Sequence, residues 1–411
     1  MPKSKTISVF EHERLTLKSE PNFTVKLFEQ LEKYHGINGT PYFSLIHKGV
    51  KFNQYVGVIQ VGDTAIEVLP KTDRSTLDKK IWRDVLIQML RITSGIEVAS
   101  TSKSDLRLQR NSIFDLYIEL FIKECERLTH QGLAKKYRKV KENQTALKGR
   151  LHIPGQIRDN IIHKERFHVE YSKYDFNHLI NQILKKTLVV LSQIPIRSDL
   201  RSRVKSQLLY FEEIEDCTVH EQMFNQIYLN RKTERYSEAL EIARLILLNY
   251  HPDISKGSNH VLALMFDMNQ LWERFITKMM RRHLSDKYQV KAQSNKVFWR
   301  SESSRKRLKP DILLIPKDES GKKIVVDTKW KTPTKNRPSD NDLRQIFAYN
   351  RLFESHDGVL LYPGTEKQVT GKYETEFGGS CILQTTNVLS RSGKLITDDS
   401  LLLSISNKIS K

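Results

Sequence analysis

Two acidic residues and one lysine have the types and spacing of a metal-dependent hydrolytic site. Asp311 begins a short apolar run, and Asp327 and Lys329 end the next one, after a polar turn that contains glycine. The two runs predict an antiparallel hairpin, whose return can bring the two carboxylates side by side. Because side chains alternate along a strand, Asp327 and Lys329 lie on one face and Thr328 on the other.

Paired carboxylates imply a bound cation. They destabilise each other unless a cation separates them, and their oxygens favour Mg²⁺, which keeps several waters and can bridge to phosphate. Such an ion would polarise a scissile phosphate and lower the pKa of a bound water. Lys329 would orient that water or neutralise charge on the phosphate. The predicted chemistry is phosphodiester hydrolysis, with Asp311 and Asp327 as metal ligands.

Three residues on neighbouring predicted helices are further candidates for this site. Glu273 lies on a helix predicted over residues 265–283, where it is either a third metal ligand or an ordinary solvent-facing glutamate. Gln345 and Tyr349 are four residues apart on a later helix and therefore share one of its faces. They would reach the substrate or the acids, unless this helix only packs against the sheet.

A group of basic residues immediately precedes Asp311. Phe298 and Trp299 are interleaved among them. A solvated loop would also explain the charge, but its position beside the hairpin favours salt-sensitive contacts with the DNA backbone. The residues that we predict to bind DNA are Lys296, Arg300, Arg305, Lys306 and Arg307, flanked by Lys291 and Lys309.

The composition narrows the class of protein. The 411 residues include 68 Lys and Arg against 48 Asp and Glu, a net charge of +20 that suits a polyanionic partner, although charge also serves solubility. The sequence has neither an apolar run of membrane-spanning length nor the core of a signal peptide. Three distant cysteines support neither a disulfide framework nor a cysteine zinc site. We expect a cytoplasmic protein that does not contact a membrane.

The patterning predicts a multidomain α/β (α+β) protein with three consecutive domains. Residues 1–108 are expected to form a β-rich interaction module with some helix, because residues 55–70 alternate like a hairpin and residues 77–92 have helical spacing. Residues 258–411 would carry the catalytic hairpin. The turn-rich segment 251–259 would precede them as a boundary.

The middle region, residues 109–257, is expected to be mainly helical. Apolar residues recur at helical spacing from residue 113, over residues 176–193 and over residues 236–248. The basic tract 135–142 between the first two helices is interpreted as a solvated helix end or loop.

The order of the motifs resembles that of the PD-(D/E)xK nuclease superfamily. It runs from Glu on a helix through Pro-Asp and Asp-x-Lys on two strands to Gln-x-x-x-Tyr on a helix, as in the RecB-like branch. The resemblance implies a restriction-endonuclease-like fold for the C-terminal domain, with a mixed central sheet flanked by helices. By position it implies that Glu273, Asp311 and Asp327 are metal ligands and Lys329 the catalytic lysine. Gln345 and Tyr349 would be auxiliary residues.

A narrower resemblance covers most of the chain. The segments that are similar to McrC proteins are 56–58, 66–71, 147–151, 181–184 and 265–273. This likeness implies the nuclease subunit of a modification-dependent restriction system, whose partner McrB is a AAA+ GTPase ring that recognises methylated DNA. It also implies that the N-terminal region inserts into the ring and stimulates nucleotide hydrolysis. For that stimulation Arg74, Arg138 and Arg150 are equivalent candidates.

Three functions therefore stay open. The first is a Mg²⁺-dependent DNA endonuclease subunit that acts with a GTPase ring; this chain has no Gly-x-x-x-x-Gly-Lys-Ser/Thr loop and should not bind nucleotide itself. The second is a non-catalytic DNA-binding activator of the ring, which the presence of both acids and the lysine disfavours. The third is a stand-alone repair or resolvase-like nuclease, in which the long N-terminal half would have no evident role.

Overall fold

The computed structural model describes residues 5–62, 64–71, 78–93, 113–194, 196–248, 250–251, 261–318, 322–331, 333 and 337–401. The chain divides into two compact units. One unit joins Met1–Leu108 to Met265–Lys411, and the other is Gln109–Leu264. This division differs from the expected three consecutive domains, because the N-terminal and C-terminal segments form one unit. The predicted boundary segment lies, apart from residue 251, outside the described residues, and so does Arg74.

The secondary structure follows the chain in three stretches. The N-terminal stretch contains β1 (Lys5–Phe10), β2 (Arg14–Thr16), α1 (Val25–Asn38), β3 (Phe43–Ile46), β4 (Gly49–Phe52), β5 (Tyr55–Val61), β6 (Thr64–Leu69) and α2 (Lys79–Thr93). The middle stretch contains α3 (Ile113–His130), β7 (Lys136–Gln144), β8 (Arg150–Leu151), α4 (Ile153–Asn160), β9 (Phe167–Asp175), α5 (Leu179–Gln193), α6 (Ser198–Leu209), α7 (Glu221–Asn225), α8 (Ser237–Leu248) and β10 (Tyr250–His251). The C-terminal stretch contains β11 (Val261–Asp267), α9 (Met268–Leu284), β12 (Tyr288–Ala292), β13 (Lys296–Arg300), β14 (Arg305–Leu308), β15 (Ile312–Pro316), β16 (Ile324–Thr328), α10 (Asp340–Phe353), β17 (Asp357–Pro363), β18 (Val369–Lys372) and β19 (Ser380–Thr386). Short 3₁₀ turns lie at Glu234–Tyr236 and Asp399–Leu401. Within the described ranges, no helix is long and apolar enough to cross a membrane.

One sheet links the two ends of the chain. In this unit its order is β1-β6-β5-β11, and the last residues of β11, 265–267, belong to the C-terminal segment of the unit. Strands β5 and β6 form the antiparallel hairpin that the alternation of residues 55–70 predicted, and β1 pairs in parallel with β6. The backbone N–H of Met268 also donates to the carbonyl of Gln54 at 3.0 Å. The C-terminal segment is therefore completed by strands from the N-terminal segment.

The second large sheet of this unit is mixed, as expected for the C-terminal region. Its order is β12-β15-β16-β17-β19-β18. Antiparallel pairing joins β12, β15 and β16, and parallel pairing joins β16, β17 and β19. Helix α10 provides the crossover from β16 to β17, which parallel neighbours require. It packs on the sheet through a core of Leu313, Val325, Ile346, Tyr349, Phe353, Leu360, Tyr362, Cys381 and Leu383.

The two helices beside this sheet have defined starts. Ser339 caps α10 by accepting a hydrogen bond from the N–H of Asp342, and Asp267 caps α9 by accepting from the N–H groups of Asn269 and Gln270. The helix predicted over residues 265–283 begins three residues later than expected, because the residues before the cap belong to β11. Residue 354 ends α10 in the left-handed region, at a φ of 58°.

The middle unit combines helices α3 to α8 with a sheet of order β7-β9-β8. The interpretation of residues 135–142 as a helix end or loop is wrong, because β7 pairs with β9 from Lys136↔Asp175 to Gln144↔Phe167. Acidic side chains of β9 compensate part of the positive charge of β7. Arg138 Nε lies 3.1 Å from Asp175 Oδ2, so cross-strand pairing neutralises part of the charge.

Candidate active site

The predicted catalytic residues meet at the end of β16. Asp327, 1% exposed, is the fourth residue of this strand, in which every residue is buried. Beyond it, Lys329 extends the parallel pairing, since its backbone N–H donates to the carbonyl of Leu361 at 2.9 Å. Lys329 Nζ lies 2.8 Å from Asp327 Oδ2. The predicted alternation is therefore confirmed, and it produces an ion pair at the carboxyl end of β16, an interior strand of the sheet.

Gln345 and Tyr349 extend this pair into a chain of hydrogen bonds. Lys329 Nζ donates to Gln345 Oε1 at 3.0 Å, and Gln345 Nε2 donates to the hydroxyl of Tyr349 at 2.8 Å. That hydroxyl in turn donates to the carbonyl of Lys309 at 3.1 Å. The Gln-x-x-x-Tyr pair thus shares one face of α10, as its spacing predicted, and contacts the lysine.

Asp311 joins the site through the backbone of the facing strand. Its Oδ2 accepts hydrogen bonds from the N–H of Thr328 at 2.7 Å and from the Thr328 hydroxyl at 2.9 Å. These bonds fix the carboxyl group of Asp311 across the hairpin, beside the residue that separates Asp327 from Lys329. Sequence reasoning assigned Thr328 only to the opposite face and missed this role.

Burial has the largest single influence on the pKa values of Asp327 and Lys329. Burial, and then the neighbouring Asp311 charge, raise the pKa of Asp327 to about 6 in spite of Lys329. Burial also acts to lower the pKa of Lys329, but the Asp327 carboxylate outweighs it and the net shift of this pKa is upward. The two shifts agree, because Asp327 is the more deeply buried partner and loses more hydration. At neutral pH the geometry therefore holds a charged lysine against a carboxylate whose pKa, about 6, lies well above its usual range.

Glu273 lies on α9 and is half buried, which argues against a freely solvated side chain. Its Oε1 accepts a hydrogen bond of 2.7 Å from Gln293 Nε2, and Gln293 Oε1 accepts one of 2.6 Å from Lys309 Nζ. Burial, followed by the charge of Asp311, raises the pKa of Glu273. The negative charge of Asp311 therefore acts on Glu273.

Asp342 is a buried acid of this site that sequence reasoning missed. Its Oδ2 lies 2.8 Å from Lys331 Nζ and accepts a hydrogen bond of 3.1 Å from the Tyr362 hydroxyl, and its Oδ1 lies 3.8 Å from Lys329 Nζ. Burial alone would raise the pKa of Asp342, but hydrogen bonds from Lys331 and Ser339 hold it below the usual range. A signal was present in the sequence, since Asp342 precedes Gln345 by three residues on the same helix.

The acids show an incomplete fit to a metal ion. Asp327 Oδ2 is buried and lies 2.8 Å from the Lys329 ammonium, so a cation already sits against this carboxylate oxygen. Burial, and then the negative charge of Asp311, raise the pKa values of Asp327 and Glu273, and a divalent cation would relieve the repulsion from Asp311. Among the residues that the structure describes, however, no three His, Cys, Asp or Glu side chains already form a metal-binding cluster. The donor chemistry fits Mg²⁺, and binding would require these carboxylates to converge.

The predicted DNA-binding residues form an antiparallel hairpin, β13 and β14, whose strands end just before Asp311. The side chains of Arg300, Arg305, Lys306 and Arg307 are exposed. Lys296 differs from these four, because its Nζ donates to the carbonyl of Leu352 at 3.1 Å and lies 5.3 Å from the centre of the Phe353 ring. Lys296 therefore also anchors the hairpin to the end of α10.

Comparisons with known proteins agree with this architecture. The family described as the McrBC 5-methylcytosine restriction system component matches residues 50–363. Among solved structures, the chain is similar to one chain of the refined half-complex from the tetradecameric assembly of Thermococcus gammatolerans McrB AAA+ hexamers with bound McrC. That match has 20% identity and a TM-score of 0.63, and covers 98% of this chain and 100% of the other. At this identity the likeness shows the fold.

A second similar chain comes from the cryo-EM structure of the Thermococcus gammatolerans McrBC complex. It has 20% identity and a TM-score of 0.47, and the match covers 68% of this chain and 88% of that one. No curated protein sequence matches the chain.

Proposed function

Because the chain belongs to the McrBC family of 5-methylcytosine restriction system components, we propose that it is the McrC-type subunit and a Mg²⁺-dependent DNA endonuclease. The observation that carries the proposal is the chain of contacts from Asp327 through Lys329 and Gln345 to Tyr349. It joins an acid and a lysine at a strand end to a helix that orients the lysine. This arrangement suits phosphodiester hydrolysis in the manner of PD-(D/E)xK nucleases.

The proposed partner is a AAA+ GTPase ring. In the similar solved assembly, McrC is bound to McrB AAA+ hexamers. The present chain lacks a phosphate-binding loop, so nucleotide hydrolysis would belong to the partner and this chain would stimulate it. The substrate would be double-stranded DNA, including methylated DNA. The net charge of +20 is consistent with such a polyanion.

Asp311 and Asp327 would hold the Mg²⁺ ion, with Glu273 as a third ligand or a ligand to its waters. When bound, the ion would supply charge neutralisation at the phosphate. Thr328 keeps Asp311 in place through two hydrogen bonds to Oδ2. Gln293 does the same for Glu273 through one bond to Oε1. These neighbours orient the carboxylates before any ion arrives.

Lys329 would contact the scissile phosphate. Its upward-shifted pKa keeps Nζ protonated near neutral pH, so Nζ can donate hydrogen bonds to phosphate oxygens as their charge increases. Gln345 Oε1 and Asp327 Oδ2 hold Nζ from two sides. Asp342 Oδ1, 3.8 Å away, adds a second negative charge that favours the ammonium form.

The proposal is tested by DNA cleavage with Mg²⁺, with and without the AAA+ partner and GTP. We expect wild type to cleave only with partner and GTP, and Asp327→Asn and Lys329→Met to lose about 100-fold or more of this activity. Matched controls are Asp286→Asn and Lys372→Met, which change an exposed acid and an exposed lysine elsewhere in the same unit.

Three outcomes would change the conclusion. Full cleavage by Lys329→Met would remove the lysine from the mechanism. Cleavage by wild type alone would indicate a stand-alone nuclease. Stimulated GTP hydrolysis without any cleavage would indicate a non-catalytic activator.

A further inference from the structure

The β13–β14 hairpin carries two adjacent aromatic side chains in solvent. Phe298 is 58% exposed and Trp299 is 50% exposed. The other three tryptophans are buried, with exposures of 0% for Trp82, 0% for Trp272 and 8% for Trp330. Trp299 is therefore the exposed one of the four tryptophans, and with the adjacent Phe298 it forms an apolar surface that is available to a ligand.

A β-bulge brings both rings to the surface. Val297 pairs with Arg307 and Trp299 with Lys306, so Phe298 is an extra residue on its strand. In a regular strand consecutive side chains point to opposite faces, whereas a bulge re-aims a side chain. The bulge thus explains why two consecutive aromatic residues are both exposed.

The charges around the rings identify the class of ligand. Arg300, Arg305, Lys306 and Arg307 are exposed on the same two strands, and Glu302 in the turn is the one acid between residues 296 and 309. A protein surface complementary to this hairpin would have to be strongly acidic. Nucleic acid combines phosphates for the cations with flat base faces for the rings.

On these grounds, and resting on the proposed function, we propose that the hairpin deforms duplex DNA beside the active site. Phe298 and Trp299 would insert at a base step or stack on a displaced base, while the cations bind the backbone. A two-stranded ribbon fits a DNA groove, and apolar side chains that wedge between base steps kink the duplex.

The base of the hairpin contacts the elements that form the candidate active site. A distortion of the DNA at the two rings would therefore shift the phosphate that lies at that site. Lys296 Nζ donates to the carbonyl of Leu352 at the end of α10. Beyond β14, the carbonyl of Lys309 accepts from Tyr349, and Lys309 Nζ donates to the glutamine that holds Glu273. Both strands therefore lead into the elements that hold the proposed catalytic groups. Base contacts at Phe298 and Trp299 would fix which phosphate lies over Asp311.

The first test measures binding without cleavage, in EDTA, on the full chain with and without its AAA+ partner. On addition of duplex DNA we expect quenching of tryptophan emission and protection of that emission from iodide. Trp299→Phe should remove the iodide-sensitive emission while keeping DNA affinity within about threefold, because a phenyl ring still stacks. Continued full iodide access to Trp299 in saturating DNA would overturn the proposal.

The second test places 2-aminopurine, whose fluorescence rises on unstacking, along the duplex. Wild type should increase this fluorescence, and Phe298→Ala/Trp299→Ala should abolish the increase and weaken binding about tenfold. Arg305→Ala/Lys306→Ala should weaken binding and reduce its salt dependence, yet retain the increase at saturation. Tyr228→Ala, at an exposed aromatic residue of the middle unit, is the control and should match wild type.

The outcomes separate this inference from the proposed function. Base unstacking without cleavage in any condition would leave the hairpin proposal standing and refute the nuclease proposal. Cleavage with no unstacking would do the reverse. A double variant that loses stimulation of the partner's GTP hydrolysis but keeps the 2-aminopurine signal would assign the rings to the protein partner and overturn the DNA proposal.

Discussion

Trp330 Nε1 donates a hydrogen bond of 2.7 Å to Glu11 Oε1, across 319 residues of sequence. Trp330 follows the proposed catalytic lysine directly, and Glu11 follows the first strand of the chain. The ring of Trp330 also lies 5.2 Å from that of Trp272, which precedes Glu273. The N-terminal segment is thus bonded to a tryptophan pair that flanks two residues of the candidate site.

The first prediction concerns the pH dependence of stability. Burial is the main cause that raises the pKa of Glu11 from 4.5 to about 7, and hydrogen bonds from Trp330 and Lys71 oppose it only in part. Between these two values the folded chain keeps a proton that the unfolded chain has lost, so the free energy of unfolding falls as pH rises. We expect a loss of about 3 kcal/mol between pH 5 and pH 8 from this group.

The measurement is urea unfolding of wild type and Glu11→Gln at both pH values. The glutamine keeps the Oε1 acceptor and cannot ionise, so the difference in stability between the two proteins isolates Glu11 from other titrating groups, including the adjacent His12. If the free energy of unfolding depended on pH in the same way in both proteins, the prediction would be contradicted. Glu11→Ala, which leaves the buried Trp330 N–H without its acceptor, should lose about 1–3 kcal/mol at either pH.

The second prediction concerns the position of α10. A Cβ atom on Gly358 of β17 would lie far inside contact distance of Ile346 Cγ2 and 2.9 Å from Asn350 Oδ1. Gly358→Ala should therefore push the helix outward, lower the free energy of unfolding by about 1–3 kcal/mol and reduce cleavage by displacing Gln345. Gly371→Ala is the matched control, because nothing lies within 4 Å of its added Cβ. Equal free energies of unfolding for the two variants would contradict the close contact between α10 and β17.

The third prediction separates orientation of the lysine from stability of the helix. Tyr349→Phe removes the hydroxyl that receives Gln345 Nε2, so we expect cleavage to fall about 10- to 100-fold while the chain stays folded. Tyr373→Phe is the control, since its hydroxyl donates to the carbonyl of Leu343 on the same helix and has no bond to Gln345. Cleavage rates and thermal midpoints of both variants should be measured together. A similar loss of activity in both would indicate that only helix packing matters.

The fourth prediction concerns the metal. Mg²⁺ at 100 times its dissociation constant should raise the free energy of unfolding by about 2.7 kcal/mol. Asp311→Asn and Asp327→Asn should abolish this increase, and Glu273→Gln should reduce it. Lys329→Met should retain it, because an ammonium 2.8 Å from Asp327 Oδ2 competes with the cation for that oxygen. Thermal unfolding with and without Mg²⁺ provides the measurement, and an increase that survives Asp327→Asn would place the ion elsewhere.

Local rules were enough to predict the central part of the site. Alternation along a strand placed Asp327 and Lys329 together, and helical spacing placed Gln345 beside Tyr349. The hairpin itself followed from two apolar runs around a turn. Each of these relationships involves residues that are close in sequence, where backbone geometry alone decides which side chains meet.

Longer-range relationships could not be predicted in this way. Nothing in the spacing indicates that Glu11 meets Trp330, or that β5 lies beside β11, because both depend on how the whole unit packs. The basic strand β7 was misread for a related reason, since its partner strand is β9, and Asp175 of β9 lies 37 residues beyond Arg138, with which it pairs. Asp342 lay within the predicted helix, but its partners Lys331 and Tyr362 lie outside that helix.

The unit that carries the candidate site is formed by two separate segments of the chain, and this has a consequence for how the protein is made. During translation, the first strands leave the ribosome long before β11, so the sheet that contains β5 and β11 cannot be finished until Asp267, the last residue of β11, has been made. The intervening residues can fold first as a unit. A nascent chain therefore passes much of its synthesis with the N-terminal strands unpartnered by β11, and a polypeptide that stops before residue 265 would lack Asp311, Asp327 and Lys329 of the candidate site.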